Sequence, residues 1–183
     1  MKIMKGWIDM KKIDKRTLLL TSIITLIPIV VGLLLWSKLP DTIPTHFGMD
    51  GVPNGWSSKP FTVFGIPAIM LLFHLLCVSI TSVDPKYDNM SSKLFGIVVW
   101  TCPVISLLVV VGCYGGALGW KFNLSKYVMI GSGILFMVIG NYLPKCKQNY
   151  TMGIKLPWTL DDEENWNRTH RFAGFLWVVG GVA

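Results

Sequence analysis

The sequence predicts an all-α protein: a polytopic transmembrane helical bundle with four full spans and a partial fifth. Three observations predict it. Four stretches, Thr17 to Ser37, Pro60 to Val83, Leu94 to Trp120 and Tyr127 to Pro144, contain no Asp, Glu, Lys or Arg. Each has about 18 residues or more, enough for a helix to cross a bilayer. The chain is 52% hydrophobic and only 15% charged, with a mean hydropathy of +0.53, on the membrane side of what soluble domains show. Its basic residues, which produce a formal net charge of +7, lie in the short segments beside the apolar stretches. That pattern orients a membrane protein and argues against a nucleic-acid surface. A soluble fold of 183 residues could not bury four such helices on all faces.

The elements follow in order. Residues 1–16 form a basic tail with Lys2, Lys5, Lys11, Lys12, Lys15 and Arg16, which the positive-inside bias assigns to the cytoplasm. Residues 17–37 are the first span, too long for a signal-peptide core and without a small-residue cleavage site, so it is retained. Residues 38–59 are an extracellular loop rich in Pro and Gly, 60–83 the second span, and 84–93 a cytoplasmic loop. Residues 94–120 are the third span, 121–126 a short extracellular loop and 127–144 the fourth span. Residues 145–171, with Lys145, Lys147, Lys155, Arg168 and Arg171, return to the cytoplasm, whereas the outer loops carry only Lys38, Lys59, Lys121 and Lys126. Trp36, Trp56, Trp120 and Tyr127 sit near span ends, as interface anchors do. From Phe172 the chain is apolar again, FAGFLWVVGGVA, too short to cross, and reads as the start of a fifth span in a longer chain.

Several function classes find little support. Cys77, Cys102 and Cys113 lie in spans and Cys146 on the reducing side, so the four read as small packing residues. His74 is the one ionisable group well inside a span, and it reads as a hydrogen-bonding partner for a neighbouring helix. The spans carry no Asp or Glu, which disfavours an ion-coupled transporter or a channel. A membrane enzyme would need a catalytic constellation, and the best pairs, His46 with Asp50 and Glu163 with His170, are poor ones. No catalytic residue, cofactor or metal is assigned: His46 and Asp50 are two candidate ligands without a third.

Two polar segments carry the information. In LPDTIPTHFGMDGVPNGWSSKP the prolines and glycines predict a compact chain of turns, with Asp50-Gly51 and Asn54-Gly55 as turn dipeptides. His46, Phe47, Asp50, Gly51, Trp56 and Lys59 are its candidate ligand-facing residues. In the second segment Thr159 reads as a helix N-cap, with the carboxylates from Asp161 to Glu164 in the first turn. Glu164 and Arg168 have the favourable i,i+4 order. The helix is expected to run on into the terminal apolar stretch with Trp166, His170, Ala173 and Trp177 along one face.

Gly140-Asn141, KQN, GIKLPWTL, a carboxylate, a Trp and THRFAG, in that order, resemble the C-terminal signature of the SdpI family of bacterial membrane proteins. The segment IPTHFGMDGVPNGWSSKP is similar to the short domain of unknown function that often precedes it. On the motif fall Asn141, Asn149, Gly153, Ile154, Lys155, Pro157, Trp158, Thr159, Leu160, Glu164, Trp166, Thr169, His170 and Arg171. The resemblance implies a six-span native form in a bacterial plasma membrane and resistance to a secreted antimicrobial peptide. In some members it also implies capture of a transcriptional repressor at the membrane. The partners it implies are lipid, a secreted peptide toxin and a small repressor protein.

Overall fold

The computed structural model describes residues 14–48, 50–120 and 124–183; most of the basic tail (1–13) and part of the 121–126 loop lie outside the described residues. The helices are α1 (Lys15–Leu34), α2 (Ile66–Ser82), α3 (Ser92–Ala117), α4 (Leu124–Tyr142), α5 (Pro157–Asp161) and α6 (Glu163–Val182). A π-helical turn, Phe61–Gly65, runs directly into α2. Among the described residues four helical segments, Lys15–Leu34, Phe61–Ser82, Ser92–Ala117 and Lys126–Lys145, are long and apolar enough to cross a membrane, and they overlap the four stretches read from the sequence. The helical class holds, with one exception: β1 (Thr42–Phe47) and β2 (Pro53–Ser58) form an antiparallel hairpin.

The chain divides into two compact units. One comprises Ile13–Val78 and Val98–Tyr127. Its spine is α1, whose buried residues Thr21, Thr25, Pro28 and Gly32 recur at helical spacing and make one narrow stripe of small and hydroxyl-bearing residues. Neighbouring helices attach to that stripe by hydrogen bonds. His74 Nε2 lies 2.9 Å from Thr21 Oγ1, Ser106 donates to the Thr25 carbonyl at 2.8 Å, and Tyr114 donates to the Pro28 carbonyl at 3.2 Å. Small residues and hydroxyls hold apolar helices together in this way because lipid offers no hydrophobic drive between them. A Cβ on Gly32 would lie 2.6 Å from the Tyr114 hydroxyl, so only glycine permits that approach.

Pro44, Ile43 and Leu39 anchor the hairpin: Ile43 and Leu39 are buried with Val63, Cys113 and Tyr114, and a Cβ on Gly116 would meet Phe47 at 2.9 Å and Pro44 at 3.2 Å. The expected chain of turns is therefore a paired sheet with a single tight turn. Asp50-Gly51 makes it: Gly51 has φ 79°, the Gly48 amide donates to the Val52 carbonyl at 2.8 Å, and Asp50 accepts from the Val52 amide at 3.0 Å. Asn54-Gly55 is not a turn. Both residues lie in β2, where Gly55 faces His46 and Asn54 Oδ1 bonds His46 Nδ1. The register shifts between Pro44 and His46 and between His46 and Phe47 let this pair form.

The other unit comprises Ser79–Ile97 and Val128–Ala183. Within it α4 and α6 run antiparallel at backbone contact. A Cβ on Gly140 would lie 2.7 Å from the Gly174 carbonyl, and one on Gly133 would lie 2.6 Å from the Gly181 carbonyl. Each helix thus contributes two glycines seven residues apart, and Phe136 meets Trp177 edge-on at 5.3 Å. The helix from Glu163 does run on to Val182, with Trp166, His170, Ala173 and Gly174 buried; Trp177 is 37% exposed.

Candidate functional site

The two polar segments fold as a hairpin and as a C-terminal module, and each is built from different contacts. At the hairpin's base Lys59 forms an ion pair with Asp41 at 3.2 Å, lies over the Trp36 ring at 5.3 Å, and donates to the Trp36 carbonyl at 3.4 Å. Lys59 is drawn into the scaffold, and Phe47 is half-buried against the end of α3. His46, Asp50 and Trp56 are exposed, while Gly51 and Asp50 set the turn. Thus the six hairpin candidates separate into an exposed group and a supporting group.

The C-terminal module is organised around buried polar side chains. Asn149 Oδ1 accepts from the amides of Thr151 at 2.9 Å and Met152 at 2.6 Å, and its Nδ2 donates to the Lys147 carbonyl at 2.9 Å. Trp166 Nε1 donates to the Cys146 carbonyl at 2.7 Å, and its ring stacks on His170 with centroids 4.0 Å apart. The Ile154 amide donates to His170 Nε2 at 2.9 Å, so that nitrogen carries no proton. His170 Nδ1 therefore holds the hydrogen and donates to the Trp166 carbonyl at 2.7 Å. Burial lowers the His170 pKa from its ordinary value of 6.5, and the bond to Trp166 opposes that shift.

Gly153 closes this arrangement. Its φ of 107° is open to glycine alone, and a Cβ there would lie 2.4 Å from His170 Nε2 and 2.9 Å from the Trp166 ring. The Thr159 hydroxyl accepts from the Leu156 amide at 2.9 Å and lies 2.8 Å from the Ile154 carbonyl. Thr159 is thus inside α5 and is not the expected N-cap. Asp162 caps α6 instead, accepting from the amides of Glu164 at 2.9 Å and Asn165 at 3.3 Å. Pro157 opens α5 and ends the preceding strand-like backbone; a five-residue helix takes the position that the sequence reading gave to the cap.

Several partners lie outside the predicted set. Asp84, 6% exposed, accepts from the amides of Lys86 at 2.8 Å and Tyr150 at 2.9 Å and from the Thr151 hydroxyl. Gln148 accepts from Lys86 Nζ and donates to the carbonyls of Thr159 at 2.8 Å and Leu160 at 2.9 Å. Asn89 donates to the Gln148 carbonyl at 2.7 Å. These bonds make the 84–89 loop part of the module. Cys146, expected to be simple packing, has its sulfur 3.4 Å from Asn149 Nδ2; burial pushes the thiol pKa up, and that bond opposes the rise.

The remaining motif residues face outward. Asn141, Lys155, Trp158, Glu164 and Arg171 are exposed, Thr169 is half-buried, and Glu164 pairs with Arg168 at 2.5 Å. Lys155 also donates to the Thr151 carbonyl at 3.0 Å.

Four span-capable helices, a hairpin inserted between the first two and a hydrogen-bonded module after the fourth define a multi-pass helical membrane protein. The family model for the SdpI/YfhL protein family matches residues 145–183, and that for a domain of unknown function (DUF1648) matches residues 23–71. The chain is 29% identical over 167 residues to the immunity protein SdpI of Bacillus subtilis (strain 168), covering 89% of this chain and 77% of that protein. It is 38% identical over 64 residues to an uncharacterized protein of Archaeoglobus fulgidus, covering 32% of this chain and 35% of that one. No solved structure matches the chain. The resemblance to the SdpI family read from the two motifs is thereby shown: the chain matches the family model over its C-terminal segment and is similar to an immunity protein over most of its length.

Proposed function

We propose that this protein lies in a bacterial plasma membrane with its N-terminus in the cytoplasm and gives resistance to a secreted antimicrobial peptide. The hairpin meets the peptide outside, through Trp56 and His46. The C-terminal module lies on the cytoplasmic side and takes part in signalling, including capture of a transcriptional repressor. The observation that carries this reading is the similarity to an immunity protein over 89% of the chain, with family models matching residues 23–71 and 145–183, where the two polar segments lie. The exposed indole of Trp56 on a hairpin anchored by Ile43 and Lys59 supports the contact role, because a rigid aromatic loses little freedom on binding.

Cells making the protein should survive a dose of Bacillus subtilis spent medium that kills control cells. Trp56→Ala or His46→Ala should weaken that protection at equal membrane abundance. Full survival with both residues replaced would overturn the hairpin's role, and no protection by the unmodified protein would overturn the resistance reading. Orientation has its own test: a cysteine at Ser58 should react with an impermeant thiol reagent in intact cells, and one at Lys147 only after lysis.

A further inference from the structure

A two-stranded sheet has two outer edges, and the register determines what each presents. Thr42 lies opposite Ser58, Ile43 opposite Ser57 and Pro44 opposite Trp56, and the Lys59 amide donates to the Asp41 carbonyl at 2.8 Å. Bonded and non-bonded pairs alternate along an antiparallel ladder. The Asp41–Lys59 bond therefore makes Thr42–Ser58 and Pro44–Trp56 the non-bonded pairs, whose backbone groups point away from the partner strand. On β1 one of those positions is Pro44, which has no N–H, is buried, and is followed by a register shift. Proline and irregular register are the devices that keep a sheet edge from recruiting another strand.

The β2 edge lacks that protection at its centre. Trp56 turns its amide and carbonyl outward, the Ser58 amide points the same way, and Pro53–Ser58 contains no charged residue. Asn54, Trp56 and Ser58 are the exposed residues of an alternating pattern, so one face of this edge strand is open with the indole at its middle.

We propose that the β2 edge takes an extended segment of the secreted peptide as a third strand. The incoming backbone pairs with the Trp56 amide and carbonyl, and its alternate side chains rest beside the indole. Strand addition gives affinity through main-chain bonds and leaves sequence choice to the neighbouring side chains. This inference rests on the resistance reading above.

The test separates backbone from side chain in cells challenged with Bacillus subtilis spent medium. Trp56→Ala removes the indole and keeps the amide. Trp56→Pro removes both, and proline is tolerated where an edge N–H faces away from the ladder. Thr42→Pro removes the corresponding amide from the opposite edge and reports any general damage to the hairpin. At equal membrane abundance, Trp56→Pro should tolerate a dose about threefold to tenfold lower than Trp56→Ala, the worth of one hydrogen bond. Thr42→Pro should protect like the unmodified protein. Equal protection by Trp56→Pro and Trp56→Ala would overturn strand addition alone, as would equal losses in Trp56→Pro and Thr42→Pro. Disulfide cross-linking between copies through a cysteine at Ser58 without peptide would also overturn it, giving the edge to a second copy. No protection by the unmodified protein would remove this inference together with the reading beneath it.

Discussion

The hairpin and the C-terminal module are both polar segments in an apolar chain, but they are built the opposite way round. In the hairpin the buried residues are apolar, Ile43 and Pro44, and the polar and aromatic residues His46, Asp50 and Trp56 are exposed. In the module the polar residues Asn149, Gln148, Thr159 and His170 are buried and bonded, while Trp158, Glu164 and Arg171 lie outside. A recognisable motif residue therefore has a different physical meaning in each region. In the hairpin His46, Asp50 and Trp56 are surface; in the module Asn149, Thr159, Trp166 and His170 are scaffold, with Lys155, Trp158, Glu164 and Arg171 outside them. Substitutions should divide accordingly between lost stability and lost function.

The largest effects should come from the centre of the module. Trp166→Ala removes a fully buried indole, its bond to Cys146 and its stack on His170, and should cost about 3–5 kcal/mol. Gly153→Ala should have an effect of similar direction, since a Cβ would enter the His170 ring at a φ of 107°. Thermal unfolding of the detergent-solubilised protein measures both. An unchanged midpoint in either variant would break the contrast, because the module would then not be a packed unit.

Asp84→Ala should come next. It leaves the Tyr150 and Lys86 amides and the Thr151 hydroxyl without their acceptor, at about 1–3 kcal/mol for an orphaned buried group. The readout is the same midpoint, supplemented by faster proteolysis between 145 and 160. Cleavage at the unmodified rate would separate the 84–89 loop from the module.

Acid should loosen the module. His170 is lowered by burial from 6.5, with the Trp166 carbonyl opposing, and the Ile154 amide needs an unprotonated Nε2. Below that value the unfolded chain binds more protons than the folded one, so stability is full above about pH 6.5 and falls as pH falls. The unfolding midpoint should decline as pH falls below about 6.5 in the unmodified protein, and this slope should be reduced in His170→Gln. Equal slopes in the two proteins would exclude His170 as the group responsible.

The spans and the helix that leads to Val182 were legible in the sequence because each depends on a run of neighbouring residues: apolar length, flanking lysines, and an amphipathic repeat. The hairpin's pairing was not, since Asn54-Gly55 has turn composition and its pairing with β1, His46 included, makes it strand. The same limit hid Asp84 and Gln148, whose partners lie about sixty residues away and have no local pattern. The α4–α6 seam had a faint signal in the seven-residue glycine spacing, visible once both helices are compared. Thr159 has the chemistry of a cap, but Asp162, three residues on, has that chemistry too and sits where α6 begins.

In the hairpin the expected stability effect is small. His46→Ala and Trp56→Ala alter exposed positions and should each shift stability by no more than about 0.5 kcal/mol, while protection falls. Loss of protection that follows reduced abundance in proportion would make the hairpin a structural element like the module.

The smallest stability effects should come from the module's own surface, and this is where the comparison can be sharpened most. Glu164 and Arg168 make an exposed i,i+4 pair, with side chains 70% and 76% accessible, so solvent screens their attraction and both ends stay hydrated after either is removed. Glu164→Gln should therefore change the unfolding free energy by less than about 0.5 kcal/mol. Trp158, 57% exposed on α5, has little packing to lose compared with Trp166. If the module serves only to hold the chain together, Trp158→Ala and Glu164→Gln should be silent in every assay. If its outer surface binds a repressor, the same substitutions should reduce repressor capture at the membrane, read by fractionation of a tagged repressor, while the midpoint and the protection against spent medium stay put. A fall in stability as large as that of Trp166→Ala would instead show that the division between buried scaffold and exposed surface does not hold on this side of the molecule.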